Sequence, residues 1–237
     1  VNFLTGQKRH IKMNVIILGS GGREHCFAEL ISESKSCDKL FVAPGNSGTS
    51  LVAENLDISP TDFDLVKGAI VQHNIQLVVV GPEDPLVRGI HDFIISDPTL
   101  KGVKVIGPKQ KAAQLEGSKD FAKNFLNRHN IPTAKHKTFT NRQFEEACEY
   151  IDNNSPPYVL KADGLAAGKG VLIIDKPNQA KDELYQMLVK SKFGVASSSV
   201  VIEEFLNGIE LSCFVVTDGK NYKILPSAKR SEEHTSE

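Results

Sequence analysis

Short apolar runs that end near glycine alternate with helix-forming segments in the first half of this 237-residue chain. Four of these runs read NVIILG, KLFVAPG, QLVVVGPED and VKVIGP. Helices are predicted from about Glu24, over residues 62–73 and over residues 86–95. Apolar strands of this length that are separated by helices are typical of a parallel sheet with both faces covered. The first half therefore predicts an α/β domain.

The second half of the chain has a different pattern. Residues 109–129 are predicted as one helix with Phe121 and Phe125 in its apolar stripe, and Asn130 and Pro132 end it. The further predicted elements are helices at 141–153 and about 178–190, strands in YVLK, GVLIID and VVIEEFL, and a hairpin that turns at Asp218-Gly219. This order indicates a second domain of the α+β type.

Composition excludes some classes of protein. The net charge is −1, so no overall basic field indicates nucleic-acid binding. No apolar run approaches the roughly 20 residues that span a bilayer. The 4 cysteines are scattered without a CxxC pair, which favours reduced thiols in a cytoplasmic protein. Residues 1–12 are polar and unpatterned, and we interpret them as an extension before the first domain.

The turn GSGGRE, from Gly19 to Glu24, follows a predicted strand and opens a predicted helix. Backbone N–H groups in such a turn can bind an anion. The turn departs from the dinucleotide fingerprint because Glu24 replaces the last glycine, and the next strand ends without an acidic residue for a ribose. A nicotinamide or flavin enzyme is therefore disfavoured. On this motif alone, an anion site and a tight turn without a ligand are equally supported.

The stretch KADGLAAGKG, from Lys161 to Gly170, combines three glycines with two lysines. It is not a P-loop, because only three residues separate Gly164 from Gly168, no hydroxyl residue follows Lys169, and a strand comes next. A loop between two strands could instead close over a triphosphate, with lysines that neutralise charge and glycines that allow close backbone approach. For an isolated loop of this kind, a solvated surface loop is the favoured alternative.

A third motif, VIEEFLNGIELS, ends an apolar strand with Glu203 and Glu204 and places Glu210 shortly after it. A strand end can offer backbone groups to an adenine edge, and a following carboxylate can accept both ribose hydroxyls. The alternative is a solvated acidic turn, which is the usual environment of an exposed Glu. The order and spacing of the glycine loop and this motif are more specific than either motif alone.

In this order, the motifs resemble the ATP-grasp superfamily, in which two α+β subdomains hold ATP beneath a lysine-bearing glycine loop. From about Met13 to Ala228 the chain is similar to the phosphoribosylamine–glycine ligases (glycinamide ribonucleotide synthetases). The similar segments are GSGGREH, VAPGNSGT, VVVGPEDPL, AAQLEGSKDFAKNFL, NIPTA, KADGLAAGKGV and VIEEFLNGIELS. The resemblance implies a parallel α/β pre-ATP-grasp domain at residues 13–112 and an incomplete ATP-grasp domain at 113–229, with a lid subdomain at about 136–202.

The resemblance also implies a cytoplasmic enzyme of purine (IMP) synthesis that binds glycine, 5-phosphoribosylamine, and ATP with Mg²⁺ or Mn²⁺. ATP would phosphorylate the glycine carboxylate, and phosphoribosylamine would attack the glycyl phosphate to give glycinamide ribonucleotide, ADP and phosphate. No nucleic-acid or membrane partner is expected. Two alternatives stay open, namely another ATP-grasp enzyme of purine synthesis and a module that binds ATP without catalysis.

Individual roles follow from the same resemblance. Lys161 and Lys169 would be catalytic. The ATP site would comprise Lys119, Lys161, Gly164, Gly168, Lys169, Gly170, Glu203, Glu204, Phe205, Leu206 and Glu210. The phosphoribosylamine site would comprise Gly21, Gly22, Arg23, Glu24, Gly45, Asn46 and Glu83. Residues 203–206 would line the adenine and Glu210 would hold the ribose, although Ile209 stands where the family commonly has Glu.

The end of the sequence departs from the family. After KILPSAK the family continues to the Glu and Asn that bind magnesium, whereas RSEEHTSE follows here. We therefore expect a truncated product with a non-family tail at residues 230–237 and with no metal ligands of its own. We also expect this chain to be inactive by itself and to fold poorly beyond its first domain.

Overall fold

The computed structural model describes residues 12–165 and 169–229. Its first part is built on a five-stranded parallel sheet. Its strands are β1 (Met13–Gly19), β2 (Cys37–Pro44), β3 (Glu54–Asn55), β4 (Leu77–Val80) and β5 (Lys104–Ile106). They lie in the order β3-β2-β1-β4-β5. The parallel sheet confirms the predicted fold class. The short edge strand β3 is not predicted, because its two residues form no apolar run.

Helices cover both faces of this sheet. Successive side chains of a strand point to opposite faces, and both sets are buried here. The covering helices are α1 (Gly22–Ser32), α2 (Phe63–Gln72), α3 (Glu83–Arg88) and α4 (Ile90–Ser96). Ile16 and Leu18 pack against α2, α3 and α4, whereas Val15 and Ile17 pack against Ala28 of α1. The helices after β1 and β4 thus cover opposite faces, and in open α/β sheets the ligand crevice lies outside the carboxyl ends of strands at such a switch point.

The helix predicted over residues 86–95 is two short helices in the structure, so its predicted bounds are wrong. Gly89 separates α3 from α4 with a φ of 99°. Glycine adopts this left-handed conformation without the steric cost that a Cβ would bring. The first of the two helices begins earlier than predicted, directly after β4.

The single helix predicted over residues 109–129 is likewise wrong. The structure has α5 (Gln110–Gly117) and α6 (Lys119–Arg128), separated by an extended Ser118 with φ −137°. The Ser118 hydroxyl accepts a hydrogen bond from the backbone N–H of Phe121 at 3.0 Å. Such a bond is typical of an N-cap, and it fixes where α6 begins.

The second part folds around a four-stranded antiparallel sheet. Its strands are β6 (His136–Thr140), β7 (Tyr158–Ala162), β8 (Val171–Ile174) and β9 (Ser199–Glu204), in the order β6-β9-β7-β8. The helices α7 (Phe144–Asp152) and α8 (Pro177–Leu188) cover one face. Leu160 and Ile202 of the sheet and Met187 of α8 are buried between the sheet and these helices. No helix within the described ranges is long and apolar enough to cross a membrane.

Two small sheets follow β9. They pair β10 (Leu211–Ser212) with β13 (Ala228–Lys229), and β11 (Val215–Thr217) with β12 (Tyr222–Ile224). The predicted hairpin is confirmed, since the Asp218 carboxylate accepts from the backbone N–H groups of Lys220 at 2.8 Å and Asn221 at 2.7 Å in its turn. The apolar side chains of this hairpin are exposed.

Candidate functional site

Strand alternation places charged side chains on the face of the second sheet that lies opposite α7 and α8. Lys161 of β7 pairs with Val201 of β9. Because Leu160 and Ile202 point into the core, Lys161 and Glu203 point to the opposite face. Helix α6 is hydrogen-bonded to β6 on that same face. The predicted lysine and the predicted acidic strand end are therefore neighbours.

The Glu203 carboxylate lies at the centre of a cluster of lysines. Its Oε2 is 3.0 Å from the Nζ atoms of both Lys161 and Lys123. The Glu203 side chain is 4% exposed and that of Lys123 is 10% exposed, whereas that of Lys161 is 28% exposed. Glu203 Oε1 has no hydrogen-bond partner among the residues that the structure describes. Of these three groups, the Lys161 ammonium is the one best placed to meet a ligand.

Lys119, the first residue of α6, adds another ammonium group beside this cluster. Its Nζ donates to the carbonyl oxygen of Gly164 at 3.4 Å. Burial lowers the pKa of Lys119 from its ordinary value, the Asp163 carboxylate opposes this shift, and the Lys161 ammonium adds to it. A buried cation next to a second cation gains more from a bound anion than a solvated lysine does.

Asp163 joins the glycine loop to the start of α6. Its carboxylate accepts from the backbone N–H of Asp120 at 2.8 Å and from the hydroxyls of Ser118 at 3.0 Å and Ser199 at 3.2 Å. Its carbonyl oxygen accepts from the backbone N–H of Lys119 at 3.2 Å. One residue thus connects the loop, α6 and β9, and these bonds fix the place of Lys119 in the cluster.

The glycine loop connects two strands that pair directly. The backbone N–H of Ala162 donates to the carbonyl oxygen of Gly170 at 2.8 Å, so β7 and β8 meet at the base of the loop. Within the loop, Gly164 approaches the backbone of Ala196 and Lys169 is exposed. Gly168 lies outside the described residues. A strand follows the loop, as the argument against a P-loop requires.

An open cavity of about 840 Å³ lies beyond β9. Its lining comprises Ile173, Phe205, Leu206, Asn207, Gly208, Ile209, Glu210 and Lys229. Three residues of the predicted nucleoside site, Phe205, Leu206 and Glu210, therefore share one cavity. Ile173 of β8 also lines the cavity. It lies on the same face of the sheet as Lys161 and Glu203, which becomes apparent only once the strand register is known. Apolar walls with a few polar groups suit a small organic ligand.

Glu204, which follows the clustered Glu203, does not line this cavity. Its Oε1 accepts from the backbone N–H of Lys135 at 2.8 Å, and its own N–H donates to the Lys135 carbonyl oxygen at 2.9 Å. The Glu204 side chain thus holds the backbone just before β6. Of the two acidic residues that end β9, one belongs to the lysine cluster and the other holds a strand.

In the first domain, loops at the carboxyl ends of β1 and β2 meet. The Asn46 side chain donates to the Ser20 carbonyl oxygen at 2.9 Å, and the backbone N–H of Gly45 donates to the Gly19 carbonyl oxygen at 3.1 Å. Glu83 is exposed at the start of α3, directly after β4. The predicted phosphoribosylamine residues thus follow the carboxyl ends of β1, β2 and β4, in loops and in the first turns of α1 and α3.

Glu24 is buried beneath these loops and does not face solvent. Its Oε2 accepts from the backbone N–H of Gly21 at 2.7 Å, and its Oε1 lies 3.1 Å from Nε of Arg23. A Cβ added to Gly81 would collide with the Glu24 carboxylate. Glu24 therefore holds the glycine turn in shape, and Gly21, Gly22 and Arg23 are the parts of the turn that a ligand can reach.

Replacing Gly81 by Ala is expected to destabilise the first domain by about 1–3 kcal/mol, the usual cost of overpacking. The new methyl group would displace the buried Glu24 side chain and break its bond to Gly21. Urea denaturation measures this change. Gly68→Ala is the matched control, because no atom beyond its chain neighbours and its own helix backbone lies within 4 Å of the added Cβ, and Ala favours the helix. Equal stability of the Gly81→Ala variant and the wild-type chain would contradict the proposed packing.

The chain has a parallel α/β domain followed by an antiparallel sheet. Lysines and an acidic strand end lie on the face of that sheet opposite α7 and α8, beside a cavity. Together these features define the ATP-grasp class of protein. The family models agree in detail. The model for the phosphoribosylglycinamide synthetase N domain matches residues 13–116, and the model for its ATP-grasp (A) domain matches residues 117–235. The chain belongs to the phosphoribosylglycinamide synthetase family.

Individual relatives are similar over most of this chain. A phosphoribosylamine–glycine ligase of Haemophilus influenzae is 47% identical over 219 residues, which cover 92% of this chain and 50% of the relative. The crystal structure of a Thermotoga maritima phosphoribosylamine–glycine ligase has a TM-score of 0.71 at 32% identity, and the match covers 90% of this chain and 49% of that one. The chain spans about half the length of the curated relatives it matches.

A more distant structure shares the fold alone. The N5-carboxyaminoimidazole synthase of Aspergillus clavatus, solved with ADP and 5-aminoimidazole ribonucleotide, has a TM-score of 0.72 at 16% identity. The match covers 95% of this chain and 55% of that one. The fold is thus shared with a protein that was solved with a different ribonucleotide, and the substrates have to be argued from the site.

Proposed function

We propose that this chain contributes the nucleotide-binding lysines of a phosphoribosylamine–glycine ligase. The reaction joins glycine to 5-phosphoribosylamine and converts ATP to ADP and phosphate, and we expect it to take place in the cytoplasm. The observation that carries the proposal is the cluster of Lys119, Lys123 and Lys161 around Glu203, beside the cavity lined by Phe205 and other residues after β9. The similarity to named ligases supports the choice of substrates.

Phosphoryl transfer needs positioning and neutralisation of negative charge more than it needs a protein nucleophile. We assign Lys119, Lys161 and Lys169 to the ATP phosphates, with the backbone of Gly164 and its neighbouring loop glycines allowing close approach. Phe205 and Leu206 would contact the adenine, and the Glu210 carboxylate would accept from the ribose hydroxyls. The loop would also exclude water, because the glycyl phosphate intermediate hydrolyses.

The crevice of the first domain is assigned to phosphoribosylamine. The turn with Gly21, Gly22 and Arg23 stands at the N-terminus of α1, where N–H groups and the helix dipole favour a phosphate. Asn46 lies in the loop after β2 and Glu83 is the first residue of α3, and both would contact the sugar and its amine. Attack of that amine on the glycyl carbonyl carbon would form the new C–N bond and release phosphate.

A divalent cation would supply neutralisation of the negative charge on the ATP phosphates in this chemistry. Within residues 12–165 and 169–229, no group of three or more His, Cys, Asp or Glu side chains is arranged to hold a metal ion. The ligands would belong to the half of the relatives' length that this chain does not span.

The proposal is tested by ADP release from a full-length form, meaning a polypeptide that continues this chain to the length of its relatives. We expect release only when glycine and phosphoribosylamine are both present, and none from the 237-residue chain alone. Release that depends on bicarbonate and not on glycine would favour another ATP-grasp enzyme of purine synthesis. ATP binding without any release by the full-length form would favour a non-catalytic module.

A further inference from the structure

Lys123 is a buried lysine with a complete set of hydrogen-bond acceptors. Its Nζ donates to Thr133 Oγ1 at 2.8 Å and to the carbonyl oxygen of Ala134 at 3.4 Å, and it lies 3.0 Å from Glu203 Oε2. An ammonium group has three N–H donors, so this side chain has none left for a ligand. The Lys123 side chain is 10% exposed, which excludes direct contact with a large anion.

The same carboxylate oxygen serves two lysines of different accessibility. Lys161 Nζ is also 3.0 Å from Glu203 Oε2, and its side chain is 28% exposed. The three charges sum to +1, and the surplus positive charge is at the accessible end. Without Lys123, the sum would be zero. The Lys161 ammonium could then turn fully onto Glu203, whose Oε1 has no partner among the described residues.

We propose that Lys123 is a positioning residue that satisfies Glu203 and thereby keeps the Lys161 charge available to the phosphates of a nucleotide. The inference rests on the proposed ATP site. It assigns a role to a residue outside the glycine loop and outside the cavity. Lys123 acts through charge, so its effect falls on the phosphate part of the ligand and leaves the adenosine part unchanged.

The test is a series of variants that changes the summed charge of Lys123, Lys161 and Glu203. Lys123→Met gives 0, the wild-type chain and the double variant Lys123→Met with Glu203→Gln give +1, and Glu203→Gln gives +2. The measured quantity is the ratio of ATP affinity to adenosine affinity, obtained by NMR titration of the full-length form, wild-type or variant, with each ligand at low ionic strength. The ratio should fall about tenfold in Lys123→Met, because Glu203 would then neutralise the partly exposed Lys161 charge that the phosphates meet.

The double variant separates charge from bracing. If Lys123 acts through charge, the ratio in the double variant returns to within about threefold of the wild-type ratio. If Lys123 were only a brace between α6 and β9, the double variant would stay as weak as Lys123→Met, and this result would overturn the inference. Because the double variant leaves no unpaired buried charge, it keeps the test decisive even where Lys123→Met fails to fold.

Two further results complete the test. Lys181→Met is the matched control, since Lys181 Nζ pairs with Asp152 Oδ2 at 2.7 Å on the helix-covered side of the sheet, and its ratio should equal that of the wild-type chain. An unchanged ratio in folded Lys123→Met overturns the inference about Lys123 and leaves the ATP site standing. Failure of the wild-type chain to bind ATP overturns both.

Discussion

Replacement of Lys161 by Met in the full-length form should lower the rate of glycine-dependent ADP release about 100-fold or more. Removing a fixed donor to the charge that develops in a transition state typically costs a factor of about 100 to 1,000. Lys161 stands on β7, held between two neighbouring strands, and its ammonium is the accessible end of the Glu203 cluster. Lys169→Ala, which removes a lysine of the loop, should impair the same rate.

The control for this prediction is Lys176→Met, which removes an exposed lysine just before α8. That variant should release ADP at the wild-type rate. Circular dichroism of each variant shows whether the fold is retained. Wild-type rates in folded Lys161→Met would remove Lys161 from the proposed site, even if ATP continued to bind.

Replacement of Asp163 by Ala should destabilise the second domain by about 2–4 kcal/mol. The change removes a charged acceptor of several hydrogen bonds, each typically worth about 1.5–3 kcal/mol, and one of them satisfies an N–H group at the start of a helix. Ser118 and Ser199 would lose their shared acceptor, and Asp120 would lose the partner of its backbone N–H. Urea denaturation measures the loss.

Hydrogen exchange locates this effect. In Asp163→Ala the amides of α6 and β9 should exchange faster, whereas those of β1 and β4 should keep their protection. Asp175→Ala, which removes an exposed carboxylate after β8, is the matched control and should change stability by less than about 0.5 kcal/mol. If Asp163→Ala cost no more than this control, the carboxylate would not be what joins the loop to α6.

The parallel sheet could be predicted because each of its main strands is a nearly continuous apolar run. The break at Ser118 could not, because apolar periodicity continues across it and a single serine decides where the second helix starts. Strand β6 was not predicted, because its sequence HKTFT has only one fully buried side chain, Phe139, and therefore forms no apolar run. Local patterns show the strongly apolar elements and leave short or capped ones ambiguous.

The motifs indicated the right part of the molecule for the site but not its internal arrangement. A lysine in a helical stripe normally extends its ammonium to water, so nothing near Lys123 in the sequence predicts its burial. Its partner Glu203 is supplied by a strand far along the chain. Glu24 was expected at the substrate, yet its carboxylate turns inward to the Gly21 N–H. Such assignments depend on the three-dimensional register.

The position of β9 has a consequence for protein synthesis. This strand lies between β6 and β7, and it is the last of the four strands to leave the ribosome. The first sheet is complete once β5 has emerged, and domains generally fold as units in the order of translation. Until residue 204 is made, β6 has no neighbour in its sheet and β7 lacks one of its two. We therefore expect that, during part of translation, the nascent chain has a folded first domain and unpaired strands after it. A chaperone would bind these exposed strands during that interval.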